Sequence, residues 1–205
     1  MKKCLLLSFV LIISFQSFSQ EAFQFKKGFI GISLGPSFYT GTALVNNFQN
    51  QGVPTSQTDP EISKGQIGFN INLLDIGYSF TENWGVVFKL QGGSQVSRSS
   101  GKVLKSTFGT FMIGPMYSVK IQEDLVLDMK IKGGRFFNVL TFNDEFGSSF
   151  SNSNFNFGME AGVSLRYHFD QQFSWINNLD FQNQFEGNNE NINRLNISTG
   201  IAFRF

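Results

Sequence analysis

Cysteine, histidine, proline and charged residues are all scarce in this chain of 205 residues. It has one cysteine, one histidine and four prolines, and 15% of its residues are charged, against about 25% in a typical soluble domain. A disulfide framework is therefore excluded, and nothing supplies the His and Cys ligands of a transition-metal site. The 16 Lys and Arg nearly balance the 15 Asp and Glu, which excludes a strongly basic nucleic-acid binder.

The first 19 residues have the three parts of a secretory signal peptide. Lys2 and Lys3 precede an apolar run over residues 5–13, and residues 17–19 (Ser-Phe-Ser) match a small-x-small cleavage site. This run is too short for a membrane-spanning helix, which needs roughly 20 apolar residues, and no later apolar run exceeds three residues. We therefore expect residues 1–19 to be removed, together with Cys4, and residues 20–205 to form one barrel domain.

The dominant pattern in the remaining chain is strict alternation of apolar and polar residues. From Phe155 to Phe169 every odd position is apolar, while the even positions are Asn, Gly, Glu, Ser, Arg and His. A β-strand sorts such a pattern onto two faces, whereas a helix would scatter it. The same alternation recurs in stretches that contain residues 30–38, 66–80, 84–90, 111–119, 125–131, 173–185 and 195–205. It predicts about eight strands, with a β-bulge where the phase changes at Leu73 and Leu74.

Long and short connections alternate between the predicted strands. The longer connections cover residues 40–64, 92–105 and 138–153, and the tight ones cover residues 81–83, 120–124 and 170–172; a brief connection at 187–191 precedes the last strand. Long loops on one rim and tight turns on the other are typical of an antiparallel outer-membrane barrel. Both chain ends then fall on the turn side, and Pro36 and Pro115 are expected near a rim or a bulge.

Alternation alone is compatible with two barrels, a soluble lipocalin-like carrier with an apolar interior or a membrane barrel with an apolar exterior. The polar face is mostly Gly, Ser, Asn and Gln rather than the Lys and Glu of a solvated surface. The apolar face of the regular strands carries no charge, as a lipid-facing wall requires. Aromatic residues collect at the turn rim, including Trp84, Tyr117, Tyr167 and Trp175, as in an interfacial girdle. These features favour an eight-stranded antiparallel up-and-down transmembrane β-barrel.

Several motifs resemble those of small outer-membrane β-barrel proteins of Bacteroidetes-type bacteria, a group akin to OmpA/OmpX-like and PorT-like barrels. They are the Ser-Gln that ends the signal segment, residues 28–31 (Gly-Phe-Ile-Gly) with Gly35, residues 113–117 (Ile-Gly-Pro-Met-Tyr) and residues 200–205 (Gly-Ile-Ala-Phe-Arg-Phe). The closing Phe203 and Phe205 are similar to the signal that the outer-membrane assembly machinery reads. The resemblance implies location and fold more firmly than activity.

The charged residues of the polar face are the candidate site. Because an eight-stranded barrel is just wide enough for side chains to fill, we expect these residues to pair into a polar plug instead of lining a water-filled pore. They are Asp75, Lys89, Asp128, Lys130, Lys132, Glu160, Arg166, Asp180, Arg194 and Arg204.

The other residues that could take part in catalysis or binding have weaker support in the sequence. A lipid-modifying barrel enzyme would need a His near a Ser and a carboxylate, open to the outer leaflet, whereas His168 precedes a tight turn on the opposite rim. In the loops, Arg98, Lys102 and Lys105 are candidates for contact with lipopolysaccharide phosphates. Asn143, Asp144 and Glu145 are candidates for a divalent cation, although both groups are more often simply solvated.

The sequence therefore predicts a monomeric outer-membrane barrel that is not an enzyme, needs no cofactor and has a structural or surface-interaction role through its loops. Its expected partners are outer-membrane lipids, lipopolysaccharide and the assembly machinery, with an unidentified loop ligand and no nucleic acid. The alternatives are a barrel that assists secretion or envelope assembly, a lipid-modifying barrel enzyme and a secreted soluble lipocalin-like carrier.

Overall fold

Eight antiparallel strands close into one barrel, in which each strand pairs with its neighbours in sequence and β1 pairs with β8. The computed structural model describes residues 26–40, 67–99, 102–143, 149–185 and 191–205. The strands are β1 (Gly28–Tyr39), β2 (Ile67–Ser79), β3 (Trp84–Ser99), β4 (Lys102–Lys120), β5 (Leu125–Asn143), β6 (Ser149–His168), β7 (Phe173–Phe185) and β8 (Asn191–Arg204). The eight-stranded up-and-down barrel expected from the alternation is confirmed. Within these ranges no helix has the length and apolar character of a membrane span.

The tight turns and the two described chain ends share one rim, which we call the turn end; the opposite rim is the loop end. Gly28 and Phe205 exchange two backbone hydrogen bonds of 2.9 and 3.0 Å there, so β8 closes onto β1. The turns cover residues 80–83, 121–124 and 169–172. The predicted arrangement of both described chain ends beside the tight turns is therefore confirmed.

The registers fix how far the barrel is staggered. A path through paired residues leads from Gly85 back to the same strand at Gln95, ten residues further along; it runs through Met116, Lys130, Gly162, Asp180, Asn196, Ser37 and Gly68. Ten residues correspond to roughly 33 Å along the strand, set against about 38 Å for eight strand spacings. The strands are therefore tilted by about 40° from the barrel axis, within the usual range.

Two connections are shorter than the sequence predicted. Residues 92–105 and 138–153 were expected to be loops, but the β3–β4 ladder continues to the pair Ser99 and Lys102, and the β5–β6 ladder to the pair Asn143 and Ser149. Gly, Ser and Asn are abundant in these segments and hide the alternation, although backbone pairing does not require apolar side chains. The consequence is a pair of hairpins that extend beyond the shorter strands β1, β2, β7 and β8.

The predicted bulge is present, but the prolines do not lie at it. The registers of β2 against both neighbours shift by one residue around Leu73. Pro36 and Pro115 lie instead where the β1–β8 and β4–β5 ladders are interrupted for two residues without a change of register. At Pro36 the side-chain amide of Asn70 compensates, because its Nδ2 lies 2.7 to 3.1 Å from the carbonyl oxygens of Gly35, Pro36 and Ile197.

The apolar side chains of the wall point outward and the charged side chains point inward. Phe157, Val163 and Ile201 are 50%, 40% and 45% exposed, whereas Glu160 and Arg166 are 1% and 8% exposed. Apolar side chains therefore form the outer face, and polar and charged side chains fill the interior. This is opposite to the arrangement that a lipocalin-like carrier requires.

Candidate functional site

The barrel interior holds every charged residue that the sequence assigned to the polar face. Ten such side chains are buried among the described residues, six cationic and four anionic: Lys89, Lys130, Lys132, Arg166, Arg194, Arg204, Asp75, Asp128, Glu160 and Asp180. A lone buried ion would be costly, since its hydration is lost. The ion-pair and hydrogen-bond partners of these ten side chains therefore decide whether the charges can be buried stably.

Four of these residues form a central charge cluster, made of Lys89, Lys132, Glu160 and Asp180. The Lys89 Nζ atom lies 3.0 Å from Glu160 Oε1 and 2.7 Å from Asp180 Oδ2. Lys132 also pairs with Glu160, its cross-strand neighbour, and lies 3.7 Å from Asp180. Two ammonium groups thus share two carboxylates, so the cluster is neutral overall.

Uncharged neighbours complete the central charge cluster. Gln182 donates to Glu160 Oε2 at 2.7 Å and also to Gln91, whose own amide donates to Asn70. Gly162 leaves room for a carboxylate, since a Cβ at that position would lie 2.1 Å from Asp180 Oδ1. A methyl group there would displace Asp180, so this inward glycine positions the cluster.

Two further ion pairs lie nearer the turn end. Arg166 contacts both carboxylate oxygens of Asp128, at 2.5 and 2.9 Å, and Ser118 donates to the same carboxylate at 2.6 Å. Lys130 pairs with Asp75 at 3.3 Å. The Phe29 ring packs beneath both cations, with the Arg166 guanidinium carbon 4.4 Å from its centroid. The two-point Arg–carboxylate contact holds this layer in one geometry.

Arg194 occupies the loop end of the interior. It donates to Asn138 Oδ1 at 2.7 Å and to Gln95 Oε1 at 3.3 Å, and it lies 4.5 Å from the Phe108 ring centroid. Asn138 in turn donates to Gln184. Amide oxygens and an aromatic face therefore hold a fully buried guanidinium here.

A layer of hydroxyl and amide groups links β1, β2, β7 and β8. Ser33 and Ser198 lie 3.0 Å apart, and the Asn72 and Asn178 amides each lie within 3.2 Å of both hydroxyls. These short side chains bring four strands together without a charged partner. Together with the ion pairs they fill the interior and bind its strands to one another, which is a structural task.

Apolar side chains above and below the charges were missed by the sequence analysis. Toward the turn end they are Phe29, Val87, Met116, Ile176 and Ala202, and toward the loop end they include Tyr39, Phe108, Phe136 and Ile192. Inward glycines make room for the rings, as a Cβ at Gly77 would lie 2.1 Å from the Phe29 ring and one at Gly158 would lie 2.7 Å from Phe136. The sequence feature that could have indicated these buried rings is the presence of inward glycines on the strands beside them.

His168 lies at the turn end, as its place before a tight turn indicated. Its Nδ1 atom is 2.7 Å from Ser174 Oγ, and Ser174 is fully buried. Arg166, Arg204 and His168 line a cleft of about 90 Å³ there, with Lys26, Lys120 and Glu82 among its other residues. The His–Ser contact resembles part of a hydrolytic site, but the serine is buried and lies at the turn end and not at the loop end.

The outer face carries the aromatic residues named from the sequence. Trp84 and Tyr117 contact edge to face with centroids 5.0 Å apart, and Tyr167 is the cross-strand partner of Trp175. Phe203 lies 5.7 Å from Phe173, and Phe205 is also exposed. All of these residues lie toward the turn end of the wall.

Positive charge appears on the outer face only toward the loop end within the described strands. Lys105 is exposed, and Arg135 lies over the Phe155 ring at 5.4 Å. Arg135 was missed because it follows two glycines that end the regular alternation of β5. The side chains of Arg98, Lys102 and Asn143, and the whole of Asp144, Glu145 and residues 41–66, lie outside the described part. Among the described residues no group of three or more His, Cys, Asp or Glu could hold a metal ion.

Comparisons with known proteins agree on the fold alone. No family model matches the sequence, and no curated protein matches it. The structure of Ail, the attachment invasion locus protein of Yersinia pestis, in complex with the heparin analogue sucrose octasulfate, is similar at 19% identity, with a TM-score of 0.51 over 87% of this chain and 99% of Ail. Neisserial surface protein A is similar at 11% identity, with a TM-score of 0.54 over 87% of this chain and 97% of that one.

Proposed function

We propose that this chain is an integral outer-membrane protein with a structural or surface-interaction role, which acts as neither a channel nor an enzyme. The observation that carries the proposal is the distribution of charge across the wall. Ten charged side chains are buried in the interior, while large apolar side chains from all eight strands are exposed on the outside. Such a wall is stable only against acyl chains, because in water it would expose a continuous apolar surface.

The height of the wall supports the same proposal. The shortest strands have 12 to 14 residues, and about 9 to 11 tilted residues cross the hydrocarbon core. The aromatic residues of the turn end would then lie at one interface. Ail, one of the barrels of similar fold, is an outer membrane protein. The motif resemblance to PorT-like barrels of Bacteroidetes-type bacteria belongs to the same proposal.

The filled interior supports a role through the surface. Side chains of the central charge cluster meet across the axis, and apolar residues lie on both sides of it, so a continuous water path has no room. We infer that binding takes place at the loop end, where the β3–β4 and β5–β6 hairpins extend beyond the membrane-crossing part. The loop ligand stays unidentified, and we propose a monomer.

Lipopolysaccharide is the proposed partner at the outer leaflet. Arg135 and Lys105 place positive charge on the outer face toward the loop end, where the phosphates of that lipid lie. Lysine and arginine side chains at this level keep their stems among acyl chains and extend the charge to the headgroups. Replacement of Arg135 and Lys105 with Gln should reduce the lipopolysaccharide that co-purifies with the folded barrel.

The exposed Phe203 and Phe205 are proposed as the signal for the assembly machinery. Replacing Phe205 with Asn should reduce the folded fraction in cells while leaving refolding of the purified chain into detergent unchanged. A chain that assembles equally well in cells would remove this part of the proposal.

Membrane insertion is tested by expressing the full chain in a Gram-negative host and separating the membrane and soluble fractions. The detergent-extracted protein should change its gel mobility on boiling, since a closed barrel resists the detergent until heated. Recovery from the soluble fraction without detergent, with one mobility before and after boiling, would contradict the proposal.

A further inference from the structure

Three polar side chains meet on the otherwise apolar outer wall near the turn end. They are Trp175 and Asn177 of β7 and Thr199 of β8, and Asn177 and Thr199 are cross-strand partners. Thr199 Oγ1 donates to Asn177 Oδ1 at 2.8 Å, and Trp175 Nε1 donates to the same oxygen at 3.3 Å. Apolar residues are their cross-strand partners: Leu34 pairs with Thr199, Leu165 with Asn177 and Ile201 with Trp175, and all three are exposed.

The tryptophan fixes the orientation of the asparagine amide. An indole N–H donates and never accepts, so the Asn177 atom that faces it must be the oxygen and not the nitrogen. Both observed contacts use that oxygen, and Asn177 is exposed. Among the described residues no acceptor receives the two Nδ2 hydrogens, which therefore face away from the wall.

The position of Asn177 along its strand indicates which acceptors are nearby. It lies four residues beyond the start of β7 at Phe173, about 13 Å along the strand and about 10 Å above the turn rim at this tilt. Trp175 lies one outward position closer to the rim, at the level of the interfacial aromatic residues. Asn177 then lies where headgroups give way to hydrocarbon, and the glycerol-ester carbonyl is the acceptor that a lipid offers at that depth.

We propose that Trp175, Asn177 and Thr199 form a phospholipid site, in which the Asn177 amide donates to a glycerol-ester carbonyl of a lipid in the leaflet at the turn end. Trp175 and Thr199 act by holding the amide with its hydrogens toward the lipid. An amide without an acceptor in an apolar environment is destabilising, so the lipid completes the site. This inference rests on the proposed membrane location.

The test compares two kinds of nanodisc that share a phosphocholine headgroup, one of diester lipid and one of the dialkyl ether lipid that lacks the carbonyls. The Asn177 side-chain amide protons should resonate downfield in the diester nanodisc relative to the ether nanodisc. In native mass spectrometry, Asn177→Leu should retain diester lipid about three- to tenfold more weakly than the native chain, the loss expected for one hydrogen bond. The ether lipid should be retained equally by both.

Asn183→Leu is the matched control. Asn183 belongs to the same strand, and its Nδ2 already donates to Asn193 Oδ1 at 2.6 Å. Its replacement should leave lipid retention unchanged, whereas Thr199→Val should weaken it, since the amide is then held less firmly.

Two results would overturn the lipid site. One is equal retention of diester lipid by the native chain and Asn177→Leu. The other is a native dimer that Asn177→Leu converts to monomers, because the Asn177 amide would then donate to a second copy of the chain and not to a lipid. The gel-mobility assay in each nanodisc separates failure of the lipid site from failure of the proposed function. A barrel that is folded and inserted but shows no preference for diester lipid would contradict the lipid site alone.

Discussion

Glu160 is the residue of the central charge cluster whose loss should be most damaging. Its carboxylate contacts both Lys89 and Lys132 and accepts from Gln182. Glu160→Gln keeps the size of the side chain, so any effect reports charge and not a cavity. It leaves two buried ammonium groups with Asp180 alone, and breaking one side of a buried pair costs about 3–5 kcal/mol. We expect the free energy of unfolding to fall by that amount.

A second substitution should rescue the first. Lys132→Met removes the cation that Glu160→Gln leaves without its main partner, while Lys89 keeps its 2.7 Å contact with Asp180. The double variant should therefore be more stable than Glu160→Gln by about 2 kcal/mol or more, because a buried pair can often be replaced by apolar groups at little cost.

Urea unfolding in lipid vesicles, followed by tryptophan fluorescence, measures both differences. Gln122→Glu serves as the control, because it changes the charge of the chain by one unit at an exposed position of the 121–124 turn, outside the barrel interior. A loss below about 1 kcal/mol for Glu160→Gln, typical of exposed pairs, would refute the reasoning. So would a double variant whose losses simply add.

The other predictions concern the wall, the strand contacts and the proline interruption. Met159→Arg, at an exposed position of the outer face about 15 Å from the level of Asn177, should reduce stability in vesicles by about 2–4 kcal/mol, whereas Tyr167→Arg near the turn rim should cost about 1 kcal/mol or less; equal losses would contradict the membrane placement. Gly200→Ala should lower the yield of folded barrel because its Cβ would lie 1.9 Å from the Ile32 carbonyl oxygen, and Gly109→Ala should not, since its nearest neighbour is at 3.9 Å. Asn70→Ala should cost about 1–3 kcal/mol through the carbonyl groups left without a donor beside Pro36, and amide hydrogen exchange in β1 and β8 should rise; unchanged exchange would argue against that compensation.

The fold could be predicted from the sequence because one physical rule operates along every strand. Residues on the outer face of these strands are mostly apolar and those on the inner face need not be, so the alternation of residues 155–169 predicts which face each residue lies on without coordinates. The same rule identified Glu160 and Arg166 as interior residues. It failed in residues 92–105 and 138–153, since small polar residues pair their backbones without showing which way they face.

The pairing inside the barrel could not be predicted, because it depends on stagger. A shift of ten residues around the barrel brings Lys89 of β3 to Glu160 of β6 and Asp180 of β7, and no pattern within one strand encodes that shift. Asn177 is a polar residue among the outward positions of β7, and no pattern within β7 shows that its partner is Thr199 of another strand.

The most direct test of the inside-out wall is quenching by brominated lipid along β6. Residues 20–205 contain no cysteine, so single cysteines at Phe157, Val163, Leu165 and Ser164 can each carry a fluorescent label in folded barrels in vesicles. Labels at the three outward positions should all be quenched more strongly than a label at Ser164. Strong quenching at Ser164 with weak quenching at Phe157 and Val163 would contradict the account.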